Sequence, residues 1–228
     1  MLIGVFFEDI NYGADGGLYA ELVQNRDFEY SPNDIGREEN WTATNSWSTG
    51  GEGLSFDIDT VAPLHTHNPH YAVLDIKEKG HGLVNDGFDG IPVKAGEKYD
   101  FSVFARSTSN KRGKIIVRLL DEDGKVIGEA RTGKISKTWN KLTAVVEATG
   151  SAVNGRIEVI PDMEGEVNLD MVSLFPQKTF KNRKNGMRAD LAQAIADIRP
   201  RFVRFPGGCV AHGNGLDNIY HWETPSAR

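Results

Sequence analysis

Residues 99–105 read YDFSVFA, with an apolar side chain at every second position. The apolar set comprises Tyr99, Phe101, Val103 and Ala105. Such strict alternation is typical of a β-strand that turns one face toward a core. Residues 142–146, LTAVV, repeat the same period. The two stretches together predict β-sheet structure in the middle of the chain.

A hairpin is expected between these two strands. Residues 115–120 and 125–130 flank the pair Asp123-Gly124, a sequence that favours a tight turn. Further short strands follow before residue 176, separated by turn residues, and no helical pattern interrupts them. Residues 31–178 are therefore predicted to form an all-β sandwich or jelly roll.

The N-terminal segment, residues 1–30, has a different pattern. The apolar run Leu2–Phe7 predicts a buried strand, and a glycine-punctuated loop follows it. Leu18, Leu22 and Val23 then have the spacing of a short helix. The segment is predicted to be strand, loop and helix.

The C-terminal segment, residues 179–228, begins with a helical stripe that Pro200 ends. The members of this stripe are Met187, Leu191, Ile195 and Ile198. A second apolar run, residues 202–205, leads into Pro206-Gly207-Gly208. Without the middle region, the two flanking segments form strand, helix and strand, which is the βαβ unit of a parallel α/β fold.

The composition limits the expected partners. The net charge is −6, the pI is about 5.5, and the one concentration of Lys and Arg lies between Lys178 and Lys184. These values disfavour nucleic acid and membranes as partners, whereas a neutral substrate fits. Cys209 is the single cysteine, so no intrachain disulfide can form. No signal-peptide pattern and no membrane-spanning apolar run is present, so the composition leaves localisation open.

Two long motifs occupy the flanking segments: residues 4–30, GVFFEDINYGADGGLYAELVQNRDFEY, and residues 179–223, TFKNRKNGMRADLAQAIADIRPRFVRFPGGCVAHGNGLDNIYHWE. Both resemble the start of the alpha-L-arabinofuranosidases of glycoside hydrolase family 51. The resemblance implies a retaining enzyme that releases terminal α-L-arabinofuranosyl residues from plant polysaccharides or oligosaccharides. It also implies an extracellular or periplasmic location for the whole enzyme.

The same resemblance implies a (β/α)8 barrel. Residues 1–30 and 179–228 together supply 80 residues, whereas a complete barrel takes about 250. The predicted fold is therefore mostly β, with a jelly roll inserted into an incomplete (β/α)8 barrel that has only its first strand-helix-strand unit. The rest of the barrel is an expected partner.

The resemblance assigns Glu8 and Cys209 to the subsite that holds the arabinofuranosyl unit. Retaining catalysis needs two carboxyl groups about 5–5.5 Å apart, and the family has both on later barrel strands, beyond residue 228. The 228-residue chain alone is thus expected to be inactive, and the reaction needs no cofactor. From position alone, Glu8 could instead be a solvated strand end or the partner of an Arg, and Cys209 a small buried residue.

Residues 25–174 resemble carbohydrate-binding modules of the family 4 and 9 type, many of which hold a structural calcium ion. Asp170 alternates with Val172 and Leu174 on an apolar face, where an unpaired carboxylate is costly. Glu29 and Asp170 are accordingly predicted to bind calcium. The alternative is a carboxylate held by backbone amides or by an Arg.

Binding of an arabinose-containing polysaccharide or oligosaccharide by such a sandwich requires exposed aromatic rings. Trp47, Tyr71 and Phe88 lie in or beside predicted loops and are the candidates, whereas Trp41 and Trp139 open apolar strands and are expected in the core. A non-catalytic carbohydrate-binding module and a purely structural sandwich stay open as alternative functions.

Overall fold

The structure is a computed structural model that describes residues 3–8, 12–31, 41–109 and 113–208. The chain divides into two units. The flanking unit combines Met1–Glu21 with Gln177–Arg228, and the sandwich unit spans Leu22–Pro176. Cys209 lies outside the described residues.

The described residues are mostly β, which confirms the predicted class. The elements, in chain order, are Val5–Phe6 (β1), Trp47–Thr49 (β2), Leu54–Asp59 (β3), Tyr71–Ile76 (β4), Leu83–Asn85 (β5), Ile91–Val93 (β6), Lys98–Arg106 (β7), Lys114–Leu120 (β8), Val126–Lys134 (β9), Asn140–Glu147 (β10), Ala152–Pro161 (β11), Gly165–Pro176 (β12), the short 3-10 helix Phe180–Asn182, the α-helix Ala189–Ile198 (α1) and Val203–Arg204 (β13).

Two antiparallel sheets make up the sandwich unit. One has the strand order β10-β7-β12-β4-β3. The other has the order β2-β5-β11-β8-β9, and β6 pairs with β11 beside it. One continuous hydrophobic core draws its side chains from both sheets. The sheets therefore face each other across that core.

Strand β7 shows why the alternating pattern produces this arrangement. Tyr99, Phe101, Val103 and Ala105 are all buried, whereas the residues between them are half-buried on the outer face. Full burial of a Val or Phe side chain is worth about 1.5–3 kcal/mol. The buried side chains of this one strand therefore contribute several kcal/mol to the stability of the core.

The hairpin between β8 and β9 also has the predicted turn. Gly124 donates its N–H to the carbonyl of Asp121 at 3.1 Å, and its φ of +81° suits a residue without a Cβ. The carboxylate of Asp121 accepts the backbone N–H groups of Asp123 and Lys125. Local side-chain capping thus closes the turn.

The predicted helix over Leu18, Leu22 and Val23 is wrong: no helix covers residues 12–31. Leu22 instead donates its N–H to the carbonyl of Leu174 at 3.0 Å, and Arg26 accepts the N–H of Val172 at 2.8 Å. Pairing with β12 and burial of Val23 in the core override the local spacing. The sandwich unit consequently begins at Leu22, earlier than the predicted boundary after residue 30.

The pairing of residues 22–26 with β12 depends on an irregularity in that strand. β12 is the neighbour of β4 as far as Leu169, and its register with β7 shifts between Asp170 and Ser173. Met171 lies within the shift and has a positive φ of 50°. The shift is a β-bulge, which bends a strand and re-aims its side chains.

In the flanking unit, β1 and β13 are parallel, with Val5 opposite Val203. Arg188, before α1, donates to Leu18 O in the segment after β1, whereas Arg201, after α1, donates to Ile3 O before β1. The N-terminal end of α1 therefore lies on the side of the carboxyl ends of the strands. Among the described residues, no helix has the length and apolar character needed to cross a membrane.

Candidate functional site

Glu8 lies just beyond the carboxyl end of β1, beside the glycine segment that follows β13. Its Oε1 accepts the N–H of Gly208 at 2.9 Å. The two residues are 200 positions apart in sequence, and the parallel pairing of β1 with β13 brings them together. Cys209 directly follows Gly208, although the structure does not describe its own position.

The glycine at position 207 makes room for this contact. A Cβ on Gly207 would lie 2.5 Å from Cγ of Glu8, and the residue has a φ of +121°. A side chain here would therefore displace the carboxylate and strain the backbone. Arg204 stacks over the ring of Phe6 at 4.7 Å, so its guanidinium contacts an aromatic face of the same strand pair.

A second cluster of polar groups lies at the bulge of β12. Asp170 is fully buried, and Asn68 donates from Nδ2 to both of its carboxylate oxygens at 3.4 and 3.3 Å. Met171 donates its backbone N–H to Asp170 Oδ1 at 2.6 Å. Burial, together with the charges of Asp27 and Glu29, raises the pKa of Asp170 to about 8. The site therefore has acidic groups that repel one another.

Glu29 and Asp27 complete this cluster. Glu29 accepts the backbone N–H of His70 at 2.8 Å, and its second oxygen lies 2.5 Å from His70 Nδ1. Burial raises the pKa of Asp27, while the charges of Arg26 and His70 oppose that shift. Three carboxylates thus share a mostly buried region, in which the His70 imidazole contacts Glu29 and the charge of Arg26 acts on Asp27.

The amide of Asn68 adds an observation that points to a ligand. Its Oδ1 is buried and has no hydrogen-bond partner, and such a buried acceptor costs about 1–3 kcal/mol. No three His, Cys, Asp or Glu side chains in the described part of the chain are already arranged as a metal centre. The cluster nevertheless offers carboxylate and amide oxygens, the ligand types that Ca²⁺ prefers.

The structure places Glu29 and Asp170, the two residues named from the sequence, in one acidic cluster with Asp27 and Asn68, which sequence reasoning missed. The short spacing of Asp27 and Glu29 is a signal that the two carboxylates lie near each other, and the turn at residues 24–27 with a positive φ at Phe28 sets their directions. Asn68 had no such signal, because it reaches Asp170 from a loop 102 residues away.

Trp47, a predicted sugar-binding residue, lies in the core and is 7% exposed. Its ring contacts Phe28 at 5.3 Å between centroids, and Nε1 donates to the carbonyl of Asn25 at 2.8 Å. It therefore lacks the exposed face that sugar stacking requires. The predicted role of Trp47 in sugar binding is therefore wrong, because Trp47 begins β2 with its side chain on the buried face.

Tyr71 is also buried, and the Arg106 guanidinium lies over its ring at 5.2 Å from the centroid. The hydroxyl donates to Asp59 Oδ2 at 2.7 Å, and this hydrogen bond lowers the pKa of Asp59. Trp139 meets the Tyr71 ring edge-on at 5.4 Å, and the Arg106 guanidinium lies 4.6 Å from the Trp139 ring. Trp139 is half-buried rather than in the core, so this cluster presents an aromatic ring and a cation on the outer face.

Phe88 is half-buried in the turn between Gly87 and Gly90. It lies before β6, away in sequence from the ring cluster of Tyr71 and Trp139. Its role as a sugar-binding residue stays a prediction. Of the three predicted aromatics, Phe88 thus retains partial exposure, whereas Trp47 and Tyr71 are buried.

The sequence of the sandwich unit identifies its family. Residues 20–163 match the family described as carbohydrate binding domain. This range covers more than half of the chain, and it contains most of the strands described above. The chain belongs to this family of carbohydrate-binding domains.

Comparison with individual proteins is more specific. An extracellular exo-alpha-L-arabinofuranosidase of Streptomyces chartreusis is 42% identical over 95% of this chain, which spans 25% of that protein. Alpha-L-arabinofuranosidase 1 of Arabidopsis thaliana is 33% identical over 97% of this chain and 33% of its own length. These matches confirm the resemblance that the two long motifs predicted.

A solved structure agrees with the sequence matches. An arabinose-bound α-L-arabinofuranosidase of glycoside hydrolase family 51 aligns with a TM-score of 0.85 at 32% identity. The alignment covers 97% of this chain and 36% of that one. The chain therefore spans between a quarter and slightly more than a third of the length of these relatives.

Proposed function

We propose that the chain acts as the amino-terminal part of a retaining α-L-arabinofuranosidase that releases terminal arabinofuranosyl residues from plant polysaccharides or oligosaccharides. The observation that carries this proposal is the meeting of Glu8 and Gly208 at the ends of two parallel strands. Similarity to arabinofuranosidases along almost the whole chain supports it. The extracellular relative supports an extracellular location.

Glu8 serves in this proposal as an acceptor for sugar hydroxyl groups. The Gly208 amide fixes the orientation of the carboxylate, so little side-chain entropy remains to be lost when the sugar binds. Cys209, the next residue, lines the same subsite. Neither residue transfers a proton or attacks the sugar, and the two catalytic glutamates lie outside the 228 residues.

The flanking unit is, in this proposal, the first strand-helix-strand unit of a (β/α)8 barrel, and the sandwich unit is a jelly roll inserted into it. Exposed apolar side chains support the assignment, since Phe6, Val203 and Phe205 are each more than half exposed. The remaining strands and helices of the barrel cover these side chains. They also bring the acid/base and the nucleophile to the face that holds Glu8.

The test compares the 228-residue chain with a longer protein that continues it to the length of its relatives. With 4-nitrophenyl α-L-arabinofuranoside, the longer protein turns over and the 228-residue chain does not. Glu8→Gln in the longer protein lowers kcat/KM by about 10- to 100-fold, the cost of one charged hydrogen bond. Glu52→Gln, at an exposed carboxylate of the sandwich unit, leaves it unchanged.

Two results contradict this proposal in different ways. Turnover by the 228-residue chain would show that its own residues supply the acid/base and the nucleophile. Absence of turnover by the longer protein on any arabinofuranoside would remove the enzymatic assignment altogether.

A second function, carbohydrate binding by the sandwich unit, is favoured by membership in the carbohydrate-binding domain family. The half-buried Trp139 ring, with Arg106 beside it, is the proposed contact surface. Titration with arabinan and arabinoxylan oligosaccharides tests this function. Trp139→Ala is expected to abolish the binding signal. Phe88→Ala tests whether Phe88, the other candidate aromatic, also contacts the sugar. No saturable signal with the unaltered chain would leave a purely structural sandwich.

We also propose a structural calcium site at Glu29 and Asp170, with Asp27 and Asn68 as further ligands. The orphaned oxygen of Asn68 and the mutual repulsion of the carboxylates support it. Calcium when bound would supply positive charge and oxygen coordination in this buried region. Millimolar CaCl₂ is expected to raise the melting temperature relative to EDTA, and Asp170→Asn is expected to remove that difference. An equal response in the variant would contradict the assignment.

A further inference from the structure

A strongly basic segment that the proposed function does not use precedes α1. Residues 178–188, which we call the basic loop, carry five Lys or Arg residues and no Asp or Glu, although the chain has a net charge of −6. Lys181, Arg183 and Lys184 are exposed, and none of the three forms an ion pair with a described residue. Arg188, in contrast, binds Asp190 at 2.7 Å.

Hydrogen bonds hold the basic loop in a defined conformation. Thr179 and Arg188 form a β-bridge across its base, and Phe180 donates its N–H to the carbonyl of Met187 at 2.8 Å. The buried hydroxyl of Thr179 donates to the carbonyl of Arg183. The backbone that carries the three cations is therefore ordered, and Lys181 Nζ lies 5.3 Å from the centroid of the Phe180 ring. Bringing the cations together for a ligand costs less entropy than in a free chain.

The loop also lies on a defined side of the flanking unit. It leads into α1, whose N-terminal end is on the side of the carboxyl ends of β1 and β13. Glu8 and Gly208 lie on that same side. The basic loop is thus at the edge of the face to which the proposed function assigns the sugar.

We propose that the basic loop binds the carboxylate groups of an acidic polysaccharide, so that the substrate class is an arabinose-bearing polymer that also contains uronic acid sugars. This inference rests on the proposed function and narrows its substrate. A neutral arabinan offers hydroxyl groups, which do not require cations, whereas a uronate carboxylate can pair with each cation.

The chemistry of the three side chains fits a carboxylated chain. Arg183 can bind a carboxylate with two parallel hydrogen bonds, and Lys181 and Lys184 add point charges on either side. The remainder of the chain has a larger negative net charge than the whole, so it repels a polyanion elsewhere. The basic loop therefore attracts an anionic polymer to this edge of the flanking unit.

The experiment measures binding of the 228-residue chain to polygalacturonate, with debranched arabinan as the neutral comparison. Binding to polygalacturonate weakens as NaCl rises from about 20 to about 300 mM, because salt screens exposed charges. The triple variant Lys181→Gln, Arg183→Gln, Lys184→Gln binds polygalacturonate about tenfold more weakly at low salt. Its binding to debranched arabinan equals that of the unaltered chain.

A control variant with the same change in net charge carries Lys79→Gln, Lys114→Gln and Lys125→Gln, three exposed lysines of the sandwich unit. It keeps the affinity of the unaltered chain for polygalacturonate. Equal losses in both triple variants, or no saturable binding of polygalacturonate at low salt, would overturn the proposal.

The failure of this inference is distinguishable from the failure of the enzymatic proposal. If the longer protein cleaves arabinofuranosides but the triple variant binds polygalacturonate normally, only the inference about the basic loop is wrong. If the triple variant loses binding but the longer protein cleaves no arabinofuranoside, the loop binds uronates and the enzymatic proposal is wrong.

Discussion

The two units of this chain differ in how far they bury the apolar side chains of their strands. In the sandwich unit, the inward side chains of both sheets meet in one core, and Phe101, Val103 and Leu74 are at most 1% exposed. In the flanking unit, Phe6 and Val203 lie in paired strands yet are 53% and 61% exposed. Strand pairing alone therefore does not complete a fold, since a sheet must also bury a face.

This difference separates a self-sufficient unit from one that needs a covering layer. The sandwich unit gains its stability from burial, whereas the described residues of the flanking unit form two short paired strands, one short 3-10 helix and one α-helix of ten residues. Two-stranded sheets and short helices are marginal when isolated in water. Substitutions should accordingly have large effects in the first unit and small ones in the second.

The largest effect is expected from Phe101→Ala in β7. Removal of this buried ring leaves a cavity between the two sheets and costs about 3–5 kcal/mol of unfolding free energy. Urea denaturation followed by tryptophan fluorescence measures it. Phe6→Ala is the matched substitution in the flanking unit, where the ring is half exposed, and a cost as large as that of Phe101→Ala would contradict the comparison.

The next effect depends on pH and involves Asp170. In the absence of calcium, burial and the charges of Asp27 and Glu29 raise its pKa in the folded state to about 8, from the ordinary 3.8. Between these two pKa values, the folded state retains a proton on Asp170 that the unfolded state releases. The stability that protonated Asp170 contributes is therefore fully present below about pH 4 and is lost as the pH rises through about 8.

Denaturation in EDTA at a series of pH values measures this dependence. The unfolding free energy should fall by on the order of 3 kcal/mol between pH 4 and pH 8, and Asp170→Asn should flatten that fall. Asp75→Asn, at an exposed carboxylate paired with Lys77, should leave the curve unchanged. A flat curve for the unaltered chain would mean that Asp170 is not desolvated.

A smaller loss is expected from Trp47→Phe, which keeps an aromatic ring against Phe28 but removes the Nε1 donor. The buried carbonyl of Asn25 then loses its 2.8 Å hydrogen bond and keeps only the longer one from the Phe28 N–H at 3.3 Å. The cost is about 1–2 kcal/mol, and thermal unfolding measures it. Binding of arabinan should not change, because Trp47 is in the core; a selective loss of binding would restore its predicted role in sugar contact.

The smallest effect is expected from Ile198→Ser in the last turn of α1. Ile198 is 55% exposed, so the change in the 228-residue chain should lie within about 0.5 kcal/mol. In the longer protein, where the proposed barrel would cover this surface, the same substitution should cost more. Equal small values in both proteins would show that α1 stays uncovered.

The sequence was most informative where structure depends on local period. The alternation in residues 99–105 predicted both the strand and its buried face, because successive side chains of a strand point to opposite sides. The Asp123-Gly124 turn was predictable for the same reason, since its capping groups are all within five residues. The flanking strand-helix-strand order followed from apolar runs and from Pro200.

The failures occurred where distant residues decide the structure. Leu22 and Val23 have helical spacing, but the bulged strand β12 supplies hydrogen bonds that an isolated segment lacks. Trp47 looked like a loop residue because Phe28 and Asn25, which bury it, are about 20 residues away. Asn68 was missed at the acidic cluster because only the folded chain brings it to Asp170.

The hydrogen bond between Leu22 and Leu174 has a consequence for how such a chain can change over time. Because the first segment of the sandwich unit, residues 22–26, is hydrogen-bonded to its last strand, β12, the two ends of this unit lie close together. Because the ends of the insertion are already close together, it costs the flanking unit about as little conformational entropy as a short loop would. A single genetic insertion or deletion could therefore add or remove the entire carbohydrate-binding domain while the interrupted βαβ unit keeps its own connections.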